Sequence, residues 1–346
     1  MAGIEIREDC GDIDGLVEFI CRIWIAEYAG RMWFSVPDEH TIRRWSQGGG
    51  CLAAYHGTKI VGTAFAVPYS VRVGPSVLSI PFITGFTVDP DHPRVAVQLV
   101  ERAHRRHAER KIPFSIGGFA GDRRSASYRF WTEYAKIFPQ KYRYLFRTSH
   151  WFKILAPGPF GRAGITAWQR LGSGTLGRLL SLTPHGHDPN VRPCRAGDLE
   201  RCSQLLDKAS ADFDWAVRLS AKRLADELDD PESGILVLER DGDIRAMVRY
   251  RCVTAYGRQA VRGAAIELWA DDGLTGGQRA RLLGHVCNHL RDHGAHVVQA
   301  LRCAMMPTSA FVANMFLPTA HMYLAALVTR PELAPTPPKN WSLVLT

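Results

Sequence analysis

The sequence predicts an α+β protein made of two similar units in tandem, each a mixed, mostly antiparallel sheet flanked by helices. Three observations carry this. First, two openings share one plan: IEIREDCGDIDGLVEFICRIW (4–24) and NVRPCRAGDLERCSQLLDKA (190–209) each read as a short strand, an acidic turn and an apolar-periodic helix. Second, each opening is followed by a hairpin pattern. CLAAYHGTKIVGTAFAVPYSVRV (51–73) turns at His56-Gly57, and GILVLERDGDIRAMVRYRCV (234–253) turns at Asp241-Gly242. Third, each half then reaches a further strand and helix, at 80–110 and at 264–293. The expected division is 1–153, a connecting segment over 154–189, and 190–346. The connecting segment contains Pro157, Pro159, Pro184 and Pro189 with many glycines. It carries one expected short helix near 163–171, whose apolar stripe is Ile165, Trp168 and Leu171.

The chain has 346 residues, 46% of them hydrophobic and 22% charged, which is ordinary for a soluble globular protein. Lys+Arg number 43 against 34 Asp+Glu, a net charge of +9, and only eight of the 43 are lysines. An arginine-rich excess suits an anionic partner, because the guanidinium fork matches phosphate and carboxylate. No apolar run approaches the roughly 18 residues a membrane span needs. MAGIEIREDC is not read as a signal peptide. The eight cysteines form no CxxC pair and sit in apolar patterns. They read as reduced core residues of a cytoplasmic protein.

The segment ITGFTVDPDHPRVAVQLVERAHRR (83–106) is the most informative. It is a buried strand, a loop of Asp, His and Pro, then an amphipathic helix beginning near Arg94 or Val95. The first amides of such a helix lack intrahelical acceptors and carry a partial positive charge. Together with Arg94 they are suited to a pyrophosphate. The alternative is an ordinary junction capped by Asp91.

The tandem plan with this junction resembles the GNAT acyltransferase superfamily, and within it the N-myristoyltransferases. IVGTAFAVPYSVRV (60–73), ITGFTV with RVAVQLV (83–88, 94–100), RFW (129–131) with PQKY (139–142), and the terminal WSLVLT (341–346) resemble that family's segments in the right order. The resemblance implies two GNAT-like domains. It implies transfer of a fatty or similar long acyl group from a pantetheine thioester, carried by acyl-CoA or an acyl carrier protein, to an amine. A peptide N-terminus, as in lipopeptide biosynthesis, is one such acceptor. It also implies a donor site at Phe86, Val88, Arg94, Val95, Ala96 and Val97, with Gly85 and Phe86 supplying oxyanion amides from a strand bulge. The family's base is the terminal carboxylate, here Thr346. Its ordinary pKa of about 3.5 must be raised by burial if it is to accept an amine's proton. Tyr28 and Phe34 would touch the acceptor. EYAGRMWFS (27–35) carries Arg31 where the family has acids, so a lysine-rich peptide is not the expected acceptor.

Other readings stand beside this one. A small-acyl tandem acetyltransferase would have a shorter pocket. A nucleic-acid-binding protein would explain the charge, but no recognition helix or zinc finger is visible. The basic helix ERAHRRHAERK (101–111) is either a solvated face or a dock for an acidic carrier protein. His285, His289 and His293 have metal-ligand spacing without a carboxylate on that face, so no metal is expected. DDGLTGGQRARLL (271–283) places aspartates before its helix, which assigns acceptor rather than cofactor binding to the second half.

Overall fold

The computed structural model describes the chain except residues 1–2, 9–10, 47–49, 172–174, 185, 229 and 344–346. The first half runs β1 (Ile4–Arg7), α1 (Ile13–Tyr28), β2 (Phe34–Val36), α2 (Glu39–Ser46), β3 (Cys51–His56), β4 (Lys59–Val73) and β5 (Ser76–Val88). It continues with α3 (Val95–Glu109), β6 (Phe114–Ala120), α4 (Ala126–Ile137) and β7 (Tyr142–Ile154). Three short helices follow, α5 (Pro157–Ala163), α6 (Ala167–Leu171) and α7 (Thr175–Ser181). The second half repeats the plan: β8 (Val191–Pro193), α8 (Leu199–Ala209), β9 (Trp215–Arg218), α9 (Ala221–Leu228), β10 (Ser233–Arg240) and β11 (Asp243–Tyr256). It ends with β12 (Ala260–Asp271), α10 (Gly276–Asp292), β13 (Val297–Leu301), α11 (Thr308–Ala313), β14 (Leu317–Val328) and β15 (Trp341–Ser342).

Local chemistry explains the punctuation. Asp12 caps α1 by accepting from the Gly15 amide at 2.9 Å. The β3–β4 turn uses Gly57 at φ +63°, and the β10–β11 turn uses Asp241 and Gly242 at φ +52° and +76°. Positive φ at the first central residue suits the first turn and at both central residues the second, the two kinds of tight hairpin that match strand twist.

The strand order is β1-β3-β4-β5-β6-β14-β7-β13-β12-β11-β10-β8. Two exchanges knit the halves. The last strands cross over, so that β14 lies between β6 and β7. The short second strands also cross, β2 pairing with β11 and β9 with β4. Most apolar side chains from both halves then join one core, running from Leu16 and Phe65 to Trp269 and Phe311.

Three expectations need correction. The connecting segment holds three short helices rather than one; Pro157 opens the first and Gly164 caps its end. The basic helix α3 is not simply a solvated face. Arg106 and His107 are buried, Arg106 donates to the Cys51 carbonyl, and Arg102 pairs with Glu8. Cys51 is disulfide-bonded rather than a reduced core thiol, whereas Cys21, Cys194, Cys202, Cys252, Cys287 and Cys303 are free. Among the described residues no helix is long and apolar enough to cross a membrane.

Candidate active site

Strands β5 and β6 pair in parallel only at Phe82–Ile116 and Ile83–Gly117, and then part. On the other side of β5 the ladder with β4 slips at the same level. Thr63 faces Thr87 and Phe65 faces Thr84, which leaves Gly85 and Phe86 without cross-strand Cα partners. This is a β-bulge. Gly85 sits at φ +57°, where an L side chain is strained, and a Cβ there would lie 2.6 Å from Phe65 Cδ2. The bulge is pinned from behind. Thr63 Oγ1 donates to the Gly85 carbonyl at 2.8 Å, Thr87 Oγ1 donates to it at 3.2 Å, and Trp24 Nε1 donates to Thr87 Oγ1 at 2.8 Å.

The gap opened by the parting strands is a cavity of about 280 Å³. Gly85 and Phe86 form one wall, Leu99, Val100 and Ala103 of α3 another, and Tyr142 and Leu327 lie on strands β7 and β14. The Phe86 ring packs on Phe130 and Trp131 at 5.5 and 5.2 Å between centroids, so the sequence triplet 129–131 supplies part of its enclosure. Tyr28, Met32 and Phe34 also line this cavity. Burial pushes the Tyr28 phenol up to about 12. Phe34 is held between Tyr28 and Tyr256, each at 5.6 Å.

A second cavity of about 630 Å³ shares Trp24, Met32, Phe34, Gly118, Phe119 and Met322 with the first. Ile165 and Leu180 of the connecting segment line it. That segment is anchored by Lys153, whose buried ammonium donates to the carbonyls of Leu180 (3.2 Å), Leu182 (2.8 Å) and Asn314 (2.9 Å). Burial pulls its pKa down to about 8. The sequence reading missed His150 of β7, which lines this cavity and makes no side-chain hydrogen bond among the described residues. Burial lowers its pKa to about 4, so it is neutral near pH 7. The only sequence signal was a lone histidine within an apolar strand pattern.

At the start of α3, Arg94 is the cap position and no side chain caps the helix. Asp91 does not cap it either; the Asp91 amide donates to Asp89 Oδ1 at 3.1 Å. Two of the expected free amides turn back on the loop, Val95 N–H to the His92 carbonyl at 3.0 Å and Ala96 N–H to the Pro93 carbonyl at 3.3 Å. Val95 and Ala96 have buried side chains, whereas Arg94 and Val97 are exposed and Val88 is half-buried. Burial alone would raise the Asp89 pKa, but the Asp91 amide, Lys59 at 3.2 Å and Arg22 at 3.6 Å outweigh it and hold it low. The corresponding helix of the second half differs. Thr275 and Gln278 form a reciprocal capping box on α10, each side chain accepting from the other's amide. The three spaced histidines of that helix are otherwise engaged: His285 accepts from the Asp188 amide, His289 bonds Tyr250, and His293 bonds the His289 carbonyl.

The tail enters the sheet. Trp341 and Ser342 pair with Trp215 and Ala216, and Leu343 is buried. Thr346, the base implied by resemblance, lies outside the described residues.

No family model and no curated protein matches the sequence. Solved structures do match. The Saccharomyces cerevisiae N-myristoyltransferase with bound myristoyl-CoA superposes with TM-score 0.73 at 12% identity, over 94% of this chain and 83% of that one. The chain has an N-myristoyltransferase-like fold. GCN5-related N-acetyltransferases from Kribbella flavida and Anabaena variabilis share the wider GNAT architecture. Their TM-scores are 0.53 and 0.55, at 14% and 10% identity, over 95% and 94% of this chain and 71% and 73% of theirs. The two exchanged strand pairs, the bulge at Gly85 and the strand gap are therefore described on an N-myristoyltransferase-like frame.

Proposed function

We propose that this protein is an N-acyltransferase that moves a fatty or similar long acyl group from a pantetheine thioester to an amine. The observation that carries this is the coincidence of bulge and gap. The strained glycine at 85 lies on the wall of an apolar cavity where β5 and β6 separate, and that cavity runs into a second one. The first half binds the donor: the uncapped start of α3 with Arg94 and Val97 faces the diphosphate, and Phe86 and Val88 flank the pantetheine arm. Val95 and Ala96 sit at that helix start with buried side chains and with amides already engaged by the His92 and Pro93 carbonyls, so they shape the site rather than donate to the phosphate. The second half, whose matching helix is already capped, serves the acceptor, with Phe34 at the meeting of the two cavities and Tyr28 beside it in the first.

The chemistry follows from acyl transfer. The amine nitrogen attacks the thioester carbonyl carbon, and the C=O electron pair moves onto oxygen. The Gly85 and Phe86 amides stabilise that oxyanion, a donor of this kind being worth ~3–4 kcal/mol in the transition state. The pair returns as the C–S bond breaks, the thiolate leaves with a proton, and the new amide nitrogen loses one. The Thr346 carboxylate is the assigned proton acceptor. His150 faces the second cavity, but burial lowers its pKa to about 4, which makes it a poor acceptor of an amine's proton.

The solved yeast enzyme holds myristoyl-CoA, which favours acyl-CoA over a carrier protein as donor here. Incubation with long-chain acyl-CoA, or with the same acyl group on a carrier protein, tests the reading. Each candidate amine is followed by intact mass spectrometry. One amide formed per thiol released supports transfer; thiol release with no acylated amine contradicts it.

A further inference from the structure

The second cavity opens beside a third, of about 380 Å³, and the two share Arg31, Met32 and His321. Four arginines, Arg31, Arg123, Arg124 and Arg147, line this mouth with one carboxylate, Asp122. Asp122 is already committed: it accepts from the Arg124 amide at 3.0 Å and from Arg124 Nε at 3.3 Å. Glu27, the next carboxylate, pairs with Arg31 at 3.5 Å and accepts from the Ala126 amide at 3.0 Å. Arg123 and Arg147 are exposed, come from different elements, and enter no ion pair among the described residues. Two guanidinium groups without counter-charge at the rim of an apolar cavity have one economical use. They pair with an anion whose neighbouring group goes inside.

Resting on the acyltransferase reading, we propose that the acceptor is an amine carrying a carboxylate or phosphate close to its reacting nitrogen. Arg123 and Arg147 hold that anion, with Arg31 beside them, while the amine reaches into the second cavity. A polycationic acceptor is repelled by the same groups, and an uncharged one gains nothing from them.

The test uses the full chain, a long-chain acyl-CoA and matched amines: phosphoethanolamine against ethanolamine, and glycine against glycinamide. We expect kcat/KM to favour the anionic member of at least one pair by about tenfold or more, the scale of one charge-assisted hydrogen bond. The pair that responds tells phosphate from carboxylate. The preference should shrink as salt rises. In a variant with Arg123→Glu and Arg147→Glu it should collapse at least tenfold, and Arg123→Lys with Arg147→Lys should retain part of it. Melting curves confirm that each variant is folded. Equal use of both members, or a preference the charge-reversed variant keeps, overturns the proposal while leaving the acyltransferase reading intact. If no amine is acylated, calorimetric titration of phosphoethanolamine and ethanolamine decides separately. Anion-dependent binding lost in the variant supports the anion subsite although the enzymatic reading has failed, and its absence overturns the subsite too.

Discussion

Replacing Gly85 by alanine strikes the bulge itself. At φ +57° an L residue is strained by about 1–2 kcal/mol. The new Cβ would also lie 2.6 Å from Phe65 Cδ2 and 3.0 Å from Trp45 Cζ3. Both rings are buried, so neither moves freely, and overpacking of this kind adds about 1–3 kcal/mol. The sum, roughly 2–5 kcal/mol, is a large share of a typical domain's stability of about 5–15 kcal/mol. Gly57→Ala is the matched control: its φ is +63°, but nothing lies within 4 Å of its Cβ, so only the strain remains. If the bulge relaxes to escape the clash, the two amides rotate away from the thioester oxygen and kcat falls by about 100- to 1000-fold. Urea unfolding and steady-state thiol release, run on both variants, measure the two effects. A Gly85→Ala protein as stable as Gly57→Ala and fully active would refute the role given to the bulge.

Three further outcomes follow. Ala103 lines the cavity beside Gly85 and is buried; if that cavity takes the acyl chain, Ala103→Phe should exclude about four methylenes, lowering use of long-chain donors by about 3 kcal/mol, or roughly 100-fold, while short-chain donors are spared. A competition assay across chain lengths reads this. Adding a few residues after Thr346 should collapse turnover while donor binding by calorimetry survives; unchanged turnover would remove the carboxylate from the mechanism. His107 is buried and held near 4 by burial first, then by Arg106, His104 and Arg110. Its folded form therefore binds fewer protons than the unfolded chain between about pH 6.5 and 4, so stability falls as pH drops through that window. The loss is roughly 3 kcal/mol, and urea melts at pH 7 and 4.5 should show a smaller gap in His107→Leu.

The duplication was legible because its signals are local. The turn residues Gly57 and Asp241-Gly242, and the apolar stripe at Leu199, Cys202, Leu205 and Leu206, state their own conformations. The bulge expected from the resemblance is present at Gly85, where the glycine's positive φ accommodates it. What the sequence left unsaid is non-local. The alternation in YRYLFRTSHWFKI (142–154) is the same whichever strand lies beside it, so nothing in β7 announces that β14 and β13 are its neighbours. The cavity beside Gly85 is a gap between strands, and gaps have no residues of their own. The turned-back amides of Val95 and Ala96 depend on how the 89–94 loop closes. Lys153, which looks like a surface residue in a strand pattern, is buried by carbonyls from two distant segments.

The most direct test of the proposed donor site is photo-crosslinking with a long-chain acyl-CoA analogue. It carries a thioether in place of the thioester and a diazirine at the chain end. Peptide mapping should place the adducts on cavity-lining residues such as Leu99, Ala103, Tyr142 or Leu327, and excess unlabelled acyl-CoA should compete them away. Adducts scattered over the surface, or unaffected by competitor, would mean that the gap between β5 and β6 does not hold an acyl chain.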